Sequence, residues 1–196
     1  MKQRLQSNIR SIKGGMNCKS TIMRFLLCLN AVVLFSCRPA PVPSKPNMIE
    51  FNYAEVTRYG AQYAEQGIES NVYMLDLYTP GLTLNKEGII EGTGYNLCFS
   101  DVFTLSTDTH IQTGVEYTAD STGRADTFLP GQDFDGNING AYLLEIQDGK
   151  VTAITLYDRG AFRICPTGDT TEIHLFYGKM PFNGILYAPL TYKRPL

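Results

Sequence analysis

Apolar and polar residues alternate in short runs along most of the chain beyond Pro46. In residues 94–100 the odd positions are tyrosine, leucine and phenylalanine, whereas the even positions are asparagine, cysteine and serine. In residues 172–177 three apolar side chains likewise oppose a glutamate and a histidine. Successive side chains of a strand point to opposite faces, so this pattern predicts strands that bury one face, as antiparallel sheets do.

The same criterion predicts eight strands, each rich in Tyr, Val, Ile, Leu or Thr and separated from the next by turn residues: 70–79, 94–104, 114–119, 140–147, 150–158, 160–165, 171–178 and 184–192. Asp148-Gly149, between two of these runs, is the strongest signal for a two-residue hairpin. Asn183-Gly184 is interpreted as a further turn. The segment Tyr53–Glu69 is interpreted as strand-like, because Gly60 and Gly67 interrupt its helical alanine pattern.

Short strands at regular spacing, without helices between them, are typical of a barrel or a sandwich. We therefore predict an all-β domain over residues 51–196, formed as a single antiparallel β-barrel of about eight strands. Closure into a barrel would remove the exposed sheet edges that favour aggregation. A β-sandwich of two sheets is the alternative architecture.

The N-terminal region carries a different pattern. Phe25–Phe35 is eleven mostly apolar residues, too short to cross a bilayer as a helix, which takes about 20 residues. Basic residues precede this run and small residues follow it, which is the layout of a secretory signal. A buried N-terminal helix is the alternative, and the prolines that begin at Pro39 argue against it.

The end of this segment, Leu34-Phe35-Ser36-Cys37, resembles the lipobox of bacterial lipoproteins. The resemblance implies cleavage before Cys37 and acylation of that cysteine, so residues 1–36 form the signal peptide and residues 37–50 a lipidated cysteine with a proline-rich tether. A start at Met16 instead of Met1 would give a signal of ordinary length. The implied location is the bacterial cell envelope, with the anchor in the outer membrane and the domain facing the periplasm.

The body of the chain also resembles small Bacteroides-type lipoproteins with a lipocalin-like, or calycin-like, β-barrel. The resemblance covers nearly all of residues 51–192 and depends on the order of six segments: NYAEVTRYG, SNVYMLDLY, GTGYNLCFSDVF, IQTGVEYTAD, GAYLLEIQDGKVTAITLYDRGAFRI and GILYAPLTYK. It implies a barrel fold and a membrane location, and it implies no activity.

Charge argues against one class of partner. From Cys37 onward the chain has eleven basic and nineteen acidic residues, a net charge of −8. An acidic body repels phosphate backbones, so nucleic acid is not an expected partner.

The sequence contains no catalytic signature. Its only histidines are His110 and His174, and no serine lies in the G-x-S-x-G turn of a hydrolase nucleophile. The segment Asp133–Asn137 is similar to a calcium loop, but its glycine is at the fourth position instead of the sixth, so we interpret it as a solvated turn. We expect no enzyme activity, no metal and no cofactor.

Two further groups are candidate site residues. Cys98 and Cys165 either pair as a disulfide, which the oxidising periplasm would allow, or remain two unpaired, partly buried thiols. All twelve tyrosines follow Cys37 in the sequence, and some of them either line a ligand pocket or fill the core. The pocket candidates are Tyr73, Tyr78, Tyr95 and Tyr142.

These observations predict a non-catalytic binding module, anchored to the membrane through Cys37, that holds a small apolar or glycan ligand. The alternative is a structural or accessory protein of an envelope complex or fimbria. A tyrosine-lined cavity at one barrel end would favour the first, and an exposed apolar patch or a long unpaired edge strand would favour the second.

Overall fold

The computed structural model describes residues 48–193, and strands dominate this part of the chain. The first half contains ten strands: β1 Ile49–Phe51, β2 Tyr53–Gly60, β3 Asn71–Tyr78, β4 Leu82–Leu84, β5 Ile90–Gly92, β6 Gly94–Thr104, β7 Glu116–Ala119, β8 Thr127–Phe128, β9 Gln132–Phe134 and β10 Asn137–Asn139. Six more follow: β11 Ala141–Gln147, β12 Lys150–Leu156, β13 Arg159–Ile164, β14 Thr171–Tyr177, β15 Met180–Leu186 and β16 Thr191–Tyr192. A single 3-10 turn, Ala64–Gln66, lies between β2 and β3.

The prediction of an all-β domain is confirmed. Ten strands form one curled half-barrel sheet in the order β1-β15-β14-β13-β7-β8-β6-β3-β2-β16. The hairpin β11–β12 extends from β6 beside this path, and β4–β5 and β9–β10 form two small sheets. The predicted signal peptide, Cys37 and most of the tether lie outside the described residues, although β1 begins within the segment predicted as tether.

Most strand pairs are antiparallel, as predicted, but three are parallel. These pairs are β1 with β15, β16 with β2, and β7 with β8. The chain passes from β1 to β2 through Asn52 alone, whose backbone N–H donates to the Tyr78 carbonyl oxygen at 3.0 Å. The first and last strand segments of the sheet therefore run side by side in the same direction.

Local turn chemistry accounts for the strand limits that were predicted correctly. Asp148 and Gly149 join β11 to β12 with positive φ angles of 51° and 71°, as a two-residue hairpin of type I′ requires. Asp135 and Gly136 join β9 to β10 in the same manner, with φ angles of 53° and 88°. The calcium-like segment is thus a hairpin turn.

The interpretation of Asn183-Gly184 as a turn is wrong, because both residues lie inside β15. The turn falls earlier, at Gly178, whose φ is 57°. A Cβ atom on Gly184 would lie 2.9 Å from Cε2 of Phe51, so this glycine makes room for a core ring. The need for glycine at this position comes from Phe51, 133 positions away, so the neighbouring sequence does not reveal it.

Aromatic rings fill the interior of the curled sheet. The ring centroid of Phe162 lies 4.8 Å from that of Phe99, 4.9 Å from that of Tyr117 and 5.7 Å from that of Phe128. All four side chains are fully buried. Aliphatic side chains complete the core around them, among which the most buried are Val56, Leu75, Leu77, Leu97, Leu143, Ile173, Leu175 and Leu186.

Candidate functional site

The structure does not bring the four candidate tyrosines together. Tyr73 lies within the core, where its hydroxyl donates to the Asp108 carbonyl oxygen at 3.0 Å. Tyr78 and Tyr142 lie on the opposite, outer face of the sheet, in register with Asn96 and Cys98 of β6. Tyr95 packs against the core and lines a surface recess of about 200 Å³. Because strand residues alternate between faces, no single cavity can be lined by both Tyr73 and Tyr78.

A groove of about 410 Å³ lies where three connections meet at one end of the sheet. They are the β2–β3 connection, the residues that follow β6, and the β7–β8 loop. The groove combines serine, threonine and charged side chains with three apolar ones, and its lining is Gly67, Ile68, Glu69, Ser70, Leu105, Ser106, Thr122, Gly123, Arg124 and Ala125. Its size is within the usual range for ligand sites, about 300–1,000 Å³.

Close packing sets one wall of the groove. Gly123 has a φ of 72°, and a Cβ atom there would lie 2.7 Å from Cδ1 of Ile68. Only glycine therefore allows the β7–β8 loop to lie against the β2–β3 connection. This connection is itself held to the sheet by Tyr63, whose hydroxyl donates to Oδ1 of Asp101 at 2.7 Å. Burial, followed by this hydrogen bond, raises the pKa of Tyr63 to about 12.

Hydrogen bonds fold the β7–β8 loop onto itself. Arg124 Nη2 donates to Oδ2 of Asp120 at 2.6 Å, and the Thr122 backbone N–H donates to Oδ1 of Asp120 at 2.7 Å. Arg124 Nε also donates to the Thr122 hydroxyl at 3.0 Å. The hydrogen bond from Arg124, with those from Thr122, lowers the pKa of Asp120 to about 2. The guanidinium therefore lies at the rim of the groove and is hydrogen-bonded to its own loop.

A second recess of about 240 Å³ is formed where the C-terminal segment crosses the end of the sheet. Its lining is more apolar, and it includes His110, Ile111, Thr113, Ile164, Leu190 and Tyr192. The Tyr192 hydroxyl accepts a hydrogen bond from the Ile111 backbone N–H at 2.9 Å. The rings of His110 and Tyr192 pack edge to face, with their centroids 4.6 Å apart. Tyr192 is thus a structural contact of the segment that forms this recess.

A row of polar side chains crosses the outer face of the sheet. Glu55, Asp76, Cys98 and Tyr142 follow one another in register on β2, β3, β6 and β11. Cys98 is only 1% exposed, although the alternation in residues 94–100 predicted a polar, solvated face there. Neighbouring strands on both sides of β6 supply the large side chains that cover this face.

Burial governs the ionisation of Cys98 and Asp76 within this row. Burial, and then the nearby Asp76 carboxylate, raises the pKa of the Cys98 thiol well above its usual value. Burial also raises the pKa of Asp76, although hydrogen bonds from Cys98 and Asn96 partly oppose that rise. A thiol that stays protonated is a poor nucleophile and a poor metal ligand, so Cys98 is a structural residue.

The two candidate cysteines are free in the structure. Cys98 lies on β6, whereas Cys165 lies in the turn between β13 and β14, where its backbone N–H donates to the Thr170 carbonyl oxygen. The structure therefore contains no Cys98–Cys165 disulfide: Cys98 is a buried free thiol on a strand, and Cys165 is a partly buried free thiol in a turn. Cys98 meets Asp76 and Tyr142 instead, which are its cross-strand neighbours.

Replacing Asp76 by asparagine should change how stability depends on pH. The raised pKa means that the folded state binds more protons than the unfolded state at pH values between the ordinary aspartate pKa of 3.8 and the folded pKa. Wild-type stability from this group is therefore greatest below pH 3.8 and falls as pH rises through the folded pKa. We expect the gain from Asp76→Asn to be larger at pH 8 than at a pH close to 3.8, where the wild-type carboxyl is largely protonated in the folded state.

Urea denaturation at a series of pH values from about 8 down to about 4 measures this difference, and Asp135→Asn on the exposed β9–β10 turn reports the effect of removing a carboxylate elsewhere. A stability difference between wild type and Asp76→Asn that stays constant across these pH values would contradict the assignment.

The histidines form no catalytic pair with an acid. His174 lies on the exposed face of β14, as predicted, with Nδ1 2.9 Å from Oδ1 of Asn183. His110 is exposed, and its Nδ1 lies 2.9 Å from the Thr109 hydroxyl. Within residues 48–193 no three His, Cys, Asp or Glu side chains converge as a metal site would require. The same residues contain no helix long and apolar enough to span a membrane.

Comparison with protein-family models, with curated proteins and with solved structures finds no match to this chain.

Proposed function

We propose that this protein is a lipid-anchored, non-catalytic binding module of the bacterial cell envelope, with its ligand site in the groove between Ile68 and Arg124. The lipobox-like segment that ends at Cys37 supports the anchor and the envelope location. The similarity of residues 51–192 to calycin-like lipoproteins supports the same location, on the outer membrane facing the periplasm.

We further propose that the curled sheet is closed into one barrel of about eight strands. Two parallel contacts support closure: β15 pairs with β1, and β16, which follows it, pairs with β2. Since β1 and β2 adjoin at Asn52, the last strand segments lie along the first ones. A closed barrel leaves its connections at the two ends as the surfaces for function.

The observation that carries the ligand proposal is the composition of the groove. Ser70, Ser106 and Thr122 supply hydroxyls, the guanidinium of Arg124 is held at the rim, and Ile68 supplies an apolar wall. This mixture suits a small polar molecule such as a sugar unit better than an apolar one, because an apolar ligand would displace water from these groups without replacing its hydrogen bonds. Of the two ligand classes predicted from the sequence, apolar and glycan, we therefore retain the glycan.

Blocking the groove tests this proposal. Ser106→Trp places a large ring in the groove, and Thr113→Trp does the same in the more apolar recess; both positions are exposed, so both variants should fold. Native mass spectrometry of protein purified from its host, followed by binding measurements with a panel of mono- and disaccharides, identifies a ligand. We expect Ser106→Trp to weaken its binding at least about tenfold and Thr113→Trp to leave it unchanged. Equal losses in both variants, or none in either, would reject the groove.

The alternative, an accessory protein of an envelope complex, is favoured by a different observation. β12 pairs only with β11 among the described strands, and Val151 and Ile154 are 53% and 48% exposed on it. Such an edge can accept a strand from another protein. A stable protein complex without a small ligand in the native mass spectrum would support this function over the first.

A further inference from the structure

Three hairpin turns share one arrangement of side chains. The β4–β5 turn carries Lys86 and Ile89, the β11–β12 hairpin Lys150 and Val151, and the β14–β15 turn Lys179 and Met180. Each lysine is exposed, and the apolar partners are 55%, 53% and 62% exposed, respectively. The only other lysine within residues 48–193 is Lys193.

The β11–β12 turn is in direct contact with the β4–β5 hairpin, at the end of β5. The Gly149 backbone N–H donates to the Gly92 carbonyl oxygen at 2.8 Å, and the Asp148 backbone N–H donates to the Thr93 hydroxyl at 3.0 Å. The β4–β5 hairpin lies in the connection from the end of β3 to the start of β6. Both turns therefore lie at the end of the sheet where β6 begins.

The third turn lies at the same end. β15 starts at Met180 and runs parallel to β1, with Gly184 opposite Ile49. The start of β15 thus lies about 13 Å beyond Ile49, on the side from which the chain enters the fold. β1 continues into β2, whose first residue, Tyr53, pairs with Tyr78 at the end of β3. The entry point of the chain and all three turns belong to one end, and the candidate groove lies at the other.

The charges at this end indicate whether electrostatic attraction or burial of apolar side chains would hold it on a lipid surface. Lys86, Lys150 and Lys179 are accompanied by Glu87, Glu91 and Asp148, so they balance within a body that is acidic overall. Attraction to anionic lipids is therefore small. Exposed apolar side chains beside lysines instead suit the headgroup boundary, where the apolar atoms are buried and the lysine ammonium groups reach back to water.

We propose that this end of the domain, formed by the three hairpin turns, rests on the phospholipid surface, with Ile89, Val151 and Met180 entering the headgroup layer. The inference depends on the proposed anchor at Cys37. Eleven residues separate Cys37 from Ile49, and at the polyproline II rise of about 3.1 Å per residue they would span about 34 Å, which keeps this end close to the bilayer. The groove then faces away from the membrane.

Single tryptophans test this orientation, because the chain contains no tryptophan of its own. The full-length lipidated protein, carrying Ile89→Trp, Val151→Trp or Met180→Trp, is reconstituted into vesicles of phosphatidylcholine and phosphatidylglycerol, with and without brominated acyl chains. Leu105→Trp is the matched control, since Leu105 is 57% exposed at the opposite end. We expect brominated lipid to reduce the tryptophan fluorescence of the three turn variants by about half. Their emission maximum should also shift to the blue, and the fluorescence of Leu105→Trp should stay unchanged.

Flotation of the same vesicles reports the anchor separately, with Cys37→Ser as the variant that should no longer float. If the wild-type chain fails to float, both the anchor and this orientation are rejected. If it floats and the turn probes are quenched no more than Leu105→Trp, the orientation alone is rejected. A blue shift without bromine quenching would mean that another copy of this protein covers the turns, and this result would also reject the lipid contact.

Discussion

Replacing Phe162 by alanine should lower the free energy of unfolding by about 3–5 kcal/mol. The ring contacts three other aromatic rings at centroid distances of 4.8 to 5.7 Å and is 1% exposed. The substitution removes these contacts and leaves a cavity. The surrounding side chains lie on different strands of one sheet, which cannot move together to fill it. Urea denaturation monitored by circular dichroism measures the change, which should be a shift in the midpoint at nearly constant slope.

Phe134→Ala is the matched control, because it removes the same ring from a side chain that is 58% exposed on the β9–β10 hairpin. Its effect should be within about 0.5 kcal/mol of zero. Similar losses for the two variants would show that Phe162 does not lie at the centre of the core.

Gly140→Ala should destabilise the protein by about 3 kcal/mol or more. Gly140 has a φ of 78°, and a Cβ atom there would overlap the carbonyl group of Pro130. The residue is also fixed in place, since its N–H donates to the Ser100 hydroxyl at 2.7 Å and its carbonyl accepts from the Ser100 N–H at 3.0 Å. The backbone therefore cannot move to relieve the overlap without breaking the start of the β11–β6 pairing.

Gly136→Ala separates steric overlap from backbone strain. Gly136 has a similar φ of 88°, but a Cβ atom there would have no heavy atom within 4 Å. Its substitution should cost only about 1 kcal/mol, the penalty of a left-handed backbone for alanine. Thermal or urea unfolding of both variants gives the comparison, and equal losses would contradict the close contact at Pro130.

Features set by neighbouring residues could be predicted from the sequence. The hairpin at Asp148-Gly149 was predicted because two residues of positive φ have a local signature, and the strand that became β6 was predicted with the same limits, 94–104. The segment 53–69 was predicted only in part: β2 occupies 53–60, and a 3-10 turn follows it. The four-residue strand β7 lies within the predicted strand 114–119, whereas the two- and three-residue strands outside the predicted runs were missed, because so few residues show no alternation.

Functional residues were harder to predict, because they depend on which strands become neighbours. Tyr73 and Tyr78 are five residues apart in one strand, and the alternation of faces separates them as pocket residues. The groove combines three connections that are distant in sequence. The contact between Gly123 and Ile68 could not be predicted, because nothing in the sequence around Gly123 indicates that Ile68 packs against it.

The sequence alone determined the strand content, the main hairpins and the acidic character of the body, because these follow from residue type and from spacing over a few positions. Only the tertiary structure decided that both faces of β6 are buried, that Cys98 meets Asp76 instead of Cys165, and where a groove opens. Those outcomes depend on the order and register of strands far apart in the chain, and the order of strands in a sheet is a property of the whole fold.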